Sequence, residues 1–159
     1  MNNQQIPWSR LSGWYNRGNV ILEKVQLLES GDKESQLKHF QSIYNDIEHQ
    51  NGIIYVTPFI VNELILLLNR KQTLISEKIN QGLKQIKEIV DFHMENIPKE
   101  DLLALKDEHI NFVFLCQEQF LFPPYINPDE EETLWLDLEE DQEHWLVTYI
   151  MTRIILSHL

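Results

Sequence analysis

Pro58-Phe59-Ile60-Val61-Asn62-Glu63-Leu64-Ile65-Leu66-Leu67-Leu68-Asn69 is apolar on nearly every side of a helix, with Asn62 and Glu63 the only polar residues before its end. A helix that lacks a polar face must be surrounded by other elements. The stretch therefore predicts a central helix over 58–69 and an all-α fold in which the remaining chain packs around it. Thr57 offers an N-cap, and Pro58 loses nothing by lacking an N–H at the first helical position. With 159 residues, 43% of them hydrophobic and 10% aromatic, the chain can bury a continuous core. One domain over 1–159, a bundle of six or seven helices, is the expected architecture.

Working outward, Ile53-Ile54-Tyr55-Val56 reads as a strand fragment or an extended connector into the central helix. Before it, Leu37, Phe40, Ile43, Tyr44 and Ile47 predict a helix near 33–49, ended by Asn51-Gly52. Trp8, Leu11, Tyr15, Gly18, Leu22, Val25 and Leu28 alternate steps of three and four and predict a helix near 7–30, despite Gly13 and Gly18. After the central helix, an amphipathic helix is expected near 72–96. Leu74, Ile75, Ile79, Leu83, Ile86, Ile89, Val90 and Phe92 would face inward, with Lys78, Lys84 and Lys87 outward. Pro98 should open a further helix reaching about Phe120, and an apolar helix near 142–158 should close the core. Phe122-Pro123-Pro124-Tyr125-Ile126-Asn127-Pro128 is the one strongly non-helical stretch. Leu134, Leu136 and Leu138 alternate as in a strand, while Leu134, Leu138 and Trp145 suit a helix, and helix is the favoured reading.

Several functional classes find no support. Met1-Asn2-Asn3-Gln4-Gln5 is unlike a secretory signal, and no apolar run approaches the about 20 residues that span a bilayer, so a cytoplasmic protein without membrane segments is expected. Cys116, the single cysteine, lies in the apolar run 110–116 and should be a buried, unreactive thiol. There is no Gly-x-Ser-x-Gly elbow and no Gly-rich phosphate loop.

Charge is the most pronounced functional signal. Of 25 acids, nine fall within 128–145: Asp129, Glu130, Glu131, Glu132, Asp137, Glu139, Glu140, Asp141 and Glu143. That window holds no Lys or Arg, and the other 16 acids face 13 bases, so the formal charge of −12 is local. Massed carboxylates repel one another unless water or a cation screens them. A basic protein partner is expected and direct nucleic-acid binding is not. Trp135 interrupts the acids as an aromatic anchor would. A solvated helix face with a core tryptophan is the plainer reading of the same residues.

Three other constellations carry chemistry in principle. Asp46-x-x-His49 and Asp141-x-x-His144 have the spacing of acid-His pairs in bundle metal sites, with Glu63 and Glu88 as bridging carboxylates. Glu88-x-x-Asp91 and Glu140-x-x-Glu143 could hold Mg²⁺ through carboxylates one helical turn apart. In that respect the chain resembles the all-α nucleotide pyrophosphohydrolases, although those enzymes carry the two motifs in the opposite order and usually have basic residues nearby for the phosphates. Arg10, Trp14 and Arg17 share a helix face if 7–30 is helical, and would form a recognition patch or a tryptophan under two arginine stems. Taken together, the sequence reads as a small acidic binding protein that needs no cofactor, in character like immunity proteins, antitoxins and nucleic-acid mimics. A metal-dependent helical enzyme and a structural subunit are the competing classes, and a homo-oligomer is left open.

Overall fold

The computed structural model describes residues 5–124 and 142–159. It is mostly helical, as expected, with a single two-stranded hairpin among the described residues. In chain order the elements are α1 (Gly18–Gln26), α2 (Lys33–Ile47), β1 (Glu48–His49), β2 (Gly52–Ile53), α3 (Thr57–Arg70), α4 (Ser76–Glu95), α5 (Lys99–Leu103), α6 (Phe112–Leu115) and α7 (Gln142–Leu156).

The helix expected at the centre is there, but it is not surrounded on every side, since Leu66 is 44% exposed. Phe59, Ile60, Val61, Leu64 and Leu67 of α3 are buried, and the helix packs against α1, α4 and α7. The Thr57 hydroxyl donates to Ile47 O (2.7 Å) and accepts from Ile54 N (3.0 Å), so it locks the connector to the end of α2. Lys71 ends α3 in the left-handed region, φ 56°. α4 presents Ile79, Leu83, Ile86 and Val90 to the core and its lysines to solvent. Leu74 and Phe92, expected inward, are 60% and 64% exposed: Leu74 precedes the helix, which begins only at Ser76, and Phe92 lies past Val90, the last buried position of the stripe. Gly82 lets α4 approach α2, since a Cβ there would sit 2.8 Å from Phe40 Cζ.

The helix expected near 7–30 is a correction: only Gly18–Gln26 is α-helical, with 3₁₀ turns at Trp8–Arg10 and Leu27–Glu29. Between them the chain folds back on itself, with Gly18 N bonded to Leu11 O (3.0 Å) and Gly13 N to Asn16 O (2.9 Å). A Cβ on Gly18 would meet Trp8 O at 2.6 Å, an approach only glycine permits. Trp8 and Leu11 still reach the core from this loop, whereas Tyr15 is 62% exposed. Their helical spacing is coincidental.

The helix expected from Pro98 to Phe120 is also corrected, into α5, α6 and two 3₁₀ turns at Asp107–His109 and Glu118–Phe120. Its middle offers no continuous apolar stripe: Lys106, Asp107, Glu108 and His109 are polar on every side, and Asn111 starts a new helix by accepting from Phe114 N (2.8 Å). Ile53 joins a hairpin turned at Gln50 and Asn51 (φ 49° and 62°), with Ile54–Val56 the buried connector. α7 closes the core as expected, and its buried Thr148 and Thr152 satisfy their hydroxyls on the carbonyls of His144 and Thr148. No described helix is long and apolar enough to cross a membrane.

Candidate functional site

The acidic window is rooted in packed structure at both described ends. On one side Phe122 is fully buried; its N–H donates to Arg10 O (2.9 Å), and Arg10 Nε donates to Phe122 O (2.7 Å). On the other, His144 and Leu146 of the first turns of α7 are buried. Asp129, Glu130, Glu131, Glu132, Trp135, Asp137, Glu139, Glu140 and Asp141 lie outside the described residues, as does the helix or strand expected at 134–138. Glu143 is described: it is exposed on α7, and its Oε1 lies 3.0 Å from His109 Nδ1. Gln142 donates weakly to Asp101 (3.4 Å), so this end of α7 faces the α5 to 3₁₀ segment.

Arg10, Trp14 and Arg17 do not form one patch. The clamp that Arg10 makes on Phe122 continues to the Glu118 carboxylate, which it holds below the usual carboxylate range, and Arg17 lies 5.1 Å from the centroid of the Phe122 ring. Trp14 turns the other way, onto His49 at 5.6 Å. The two arginines thus staple the N-terminal loop to the segment that leads into the acidic window. Sequence spacing could not reveal this, because more than a hundred residues separate the partners.

The residues read as metal ligands have separate surroundings. Asp46 is 1% exposed and accepts from Tyr15 N (3.0 Å), Asn16 N (2.8 Å) and Asn16 Nδ2 (2.9 Å), so it shapes the 13–16 loop. His49 belongs to β1 rather than α2, which removes the shared helix face from the Asp46-His49 pair; its Nδ1 lies 3.1 Å from the Tyr15 hydroxyl. His144 is enclosed by rings, stacked on Phe120 at 3.7 Å and edge-on to Tyr55 at 4.3 Å. Glu63 sits at the rim of the core, 8% exposed, with no base or hydroxyl bonded to it among the described residues. No group of three or more His, Cys, Asp or Glu able to hold a metal ion occurs among the described residues.

The Mg²⁺ set is divided by helix direction. Asp91 pairs with Arg153 (3.6 Å) and His93 packs on Tyr149, so α4 and α7 run antiparallel. Glu143 lies ten residues before Arg153, about 15 Å back along the axis, and is therefore remote from Glu88 and Asp91. Cys116 is partly rather than fully buried, and burial pushes its thiol up to about 11. Three buried donors, Trp8 Nε1, Trp14 Nε1 and Ser12 Oγ, have no hydrogen-bond partner among the described residues. Comparison with known protein families, with curated proteins and with solved structures finds no match.

Proposed function

We propose that the protein is a small acidic binding protein, cytoplasmic, that uses the window 128–145 to occupy a basic protein partner, as immunity proteins, antitoxins and nucleic-acid mimics do. The single observation that carries this reading is the massing of nine carboxylates without one base in 18 residues. Carboxylates that serve the fold are placed singly opposite a donor, as Asp46, Glu118 and Glu29 are. A block of like charge instead lowers stability by self-repulsion and raises association with a cationic surface by a factor of roughly 10 to 10³. The Arg10 clamp on Phe122 and the buried His144 support the reading by fixing described residues on either side of 125–141 in packed structure. Trp135 would supply the apolar anchor and the acids the steering. The protein is read as a binder without cofactor, with neither nucleic acid nor membrane as direct ligand.

The test is capture from the native host at low salt, with the wild-type chain and with a variant carrying Glu130→Gln, Glu131→Gln, Glu139→Gln and Glu140→Gln. A basic protein retained by the wild type, and lost from it at high salt and from the variant at low salt, is the expected result. Capture of no basic protein, or equal capture by both chains, overturns the reading.

A further inference from the structure

A groove of about 990 Å³ runs between the first half of α4 and the end of α7. Lys78, Lys84 and Lys87 stand along it, all exposed, and Glu77 is the one acid in its lining. No ion-pair partner of these three lysines occurs among the described residues. Every described arginine, in contrast, is engaged: Arg10 with Glu118, Arg17 with the Phe122 ring, Arg70 with Glu29 and Arg153 with Asp91. Three lysine side chains against one acidic side chain give this groove a positive excess in a chain whose formal charge is −12. Leu159, 50% exposed, adds apolar surface beside them. Such a surface fits an acidic polypeptide with apolar side chains set among its carboxylates. The protein's own residues 128–141 have that composition: eight acids with Leu134, Trp135, Leu136 and Leu138 among them.

We propose that this groove receives the acidic segment 128–141 of a second copy of the chain. The segment joins α7 at Gln142, whereas the groove lies at the other end of that helix, about 21 Å away over 15 residues. Glu139, Glu140 and Asp141, one to three residues from the join, are too close to it to reach their own groove at 3.3–3.6 Å or so per residue. A second copy can present the whole segment. Reciprocal exchange gives two identical contacts related by a two-fold axis, which closes the assembly as a dimer. The inference rests on the reading of the window as a docking surface and names a second copy as its resting occupant, displaced when a basic target competes for the same carboxylates.

The experiment is sedimentation of the full-length chain over a concentration series at low and high salt. Wild type should sediment at twice the 19.0 kDa chain mass at low salt and at the chain mass at high salt. The variant Lys78→Glu, Lys84→Glu, Lys87→Glu and the four-Gln variant should each lose self-association by at least roughly tenfold. Mixed in equal amounts they should form a heterodimer, because one supplies intact acids and the other an intact groove. The substituted lysines are exposed on α4, and unchanged helical circular dichroism verifies that the variants fold. Monomeric wild type at low salt, self-association of the lysine variant equal to wild type, or failure of the mixture to associate overturns the inference. A monomeric wild type that still captures a basic host protein overturns the dimer alone. A salt-sensitive dimer that captures none overturns the inhibitor reading alone.

Discussion

The described carboxylates of the packed body stand mostly one by one opposite a donor, whereas those of the acidic window are massed along the sequence. In the body several acids meet a donor of their own: Asp46 takes three N–H groups of the 15–16 loop, Asp32 caps α2 through Ser35 N, Glu118 takes Arg10, and Asp91 takes Arg153. In the window nine acids stand within 18 residues that hold no Lys or Arg, and the one described among them, Glu143, lies 3.0 Å from His109 Nδ1. An acid that builds structure contributes because it is single and opposed, and its removal leaves a stranded donor. An acid in a crowd of its own sign contributes little to the isolated fold, and its removal relieves repulsion. The two regions should therefore respond to neutralisation with effects of different size and sign.

The largest expected effect is at Asp46. Asp46→Ala strands the amides of Tyr15 and Asn16 and should destabilise the fold by about 3–5 kcal/mol. Asp46→Asn keeps an oxygen for the two backbone donors, both of which bond the same carboxylate oxygen, and should cost well under half as much. Denaturant melts of the two variants check this; equal losses would mean that charge, not the accepting geometry, holds the loop.

A smaller effect is expected at Ser12, whose hydroxyl is buried without a partner among the described residues. Ser12→Ala removes an unsatisfied polar group and should be neutral or stabilise by up to about 1 kcal/mol. A clear loss of stability in the melt would reveal a bonding partner for that hydroxyl. At Glu118 and Asp32 the folded state holds the carboxyl below its ordinary value, through Arg10 and through the Ser35 amide respectively. A depressed folded pKa contributes stability above the unfolded value that is lost as pH falls through the folded one. Both groups are fully exposed, so the loss between about pH 5 and about pH 3 should be shallow, and Glu118→Gln should flatten its share of the slope in thermal melts. Cys116, with its thiol pushed up to about 11, should react with thiol reagents at neutral pH far more slowly than in the unfolded chain; equal rates would show the site open.

Much of the helical framework was legible because burial imposes a period. Ile79, Leu83, Ile86 and Val90 mark α4, and the all-round apolar 59–68 marks the centre. The stripe through Trp8, Leu11 and Tyr15 misled because two glycines and a distant carboxylate, Asp46, gave the backbone an alternative to helical hydrogen bonds that periodicity does not register. The same holds for 98–120, where Asn111 caps a new helix and where the aromatic residues turn inward one short element at a time. Of the candidate sites, composition alone marked the acidic window. The groove of Lys78, Lys84 and Lys87 was legible only as an outward face, since its other wall comes from Leu156 to Leu159, some seventy residues further along.

The smallest effect on the isolated protein belongs to the window itself. Exchanging Glu130, Glu131, Glu139 and Glu140 for Gln should change stability by no more than a few tenths of a kcal/mol, because it only relieves repulsion among like charges that salt already screens. The measurement that bears most directly on the central claim is the association rate of this variant with the captured basic protein across a salt series. A slower on-rate with a flatter salt dependence is expected while the thermal melt stays put. An on-rate equal to wild type at every salt concentration would contradict it.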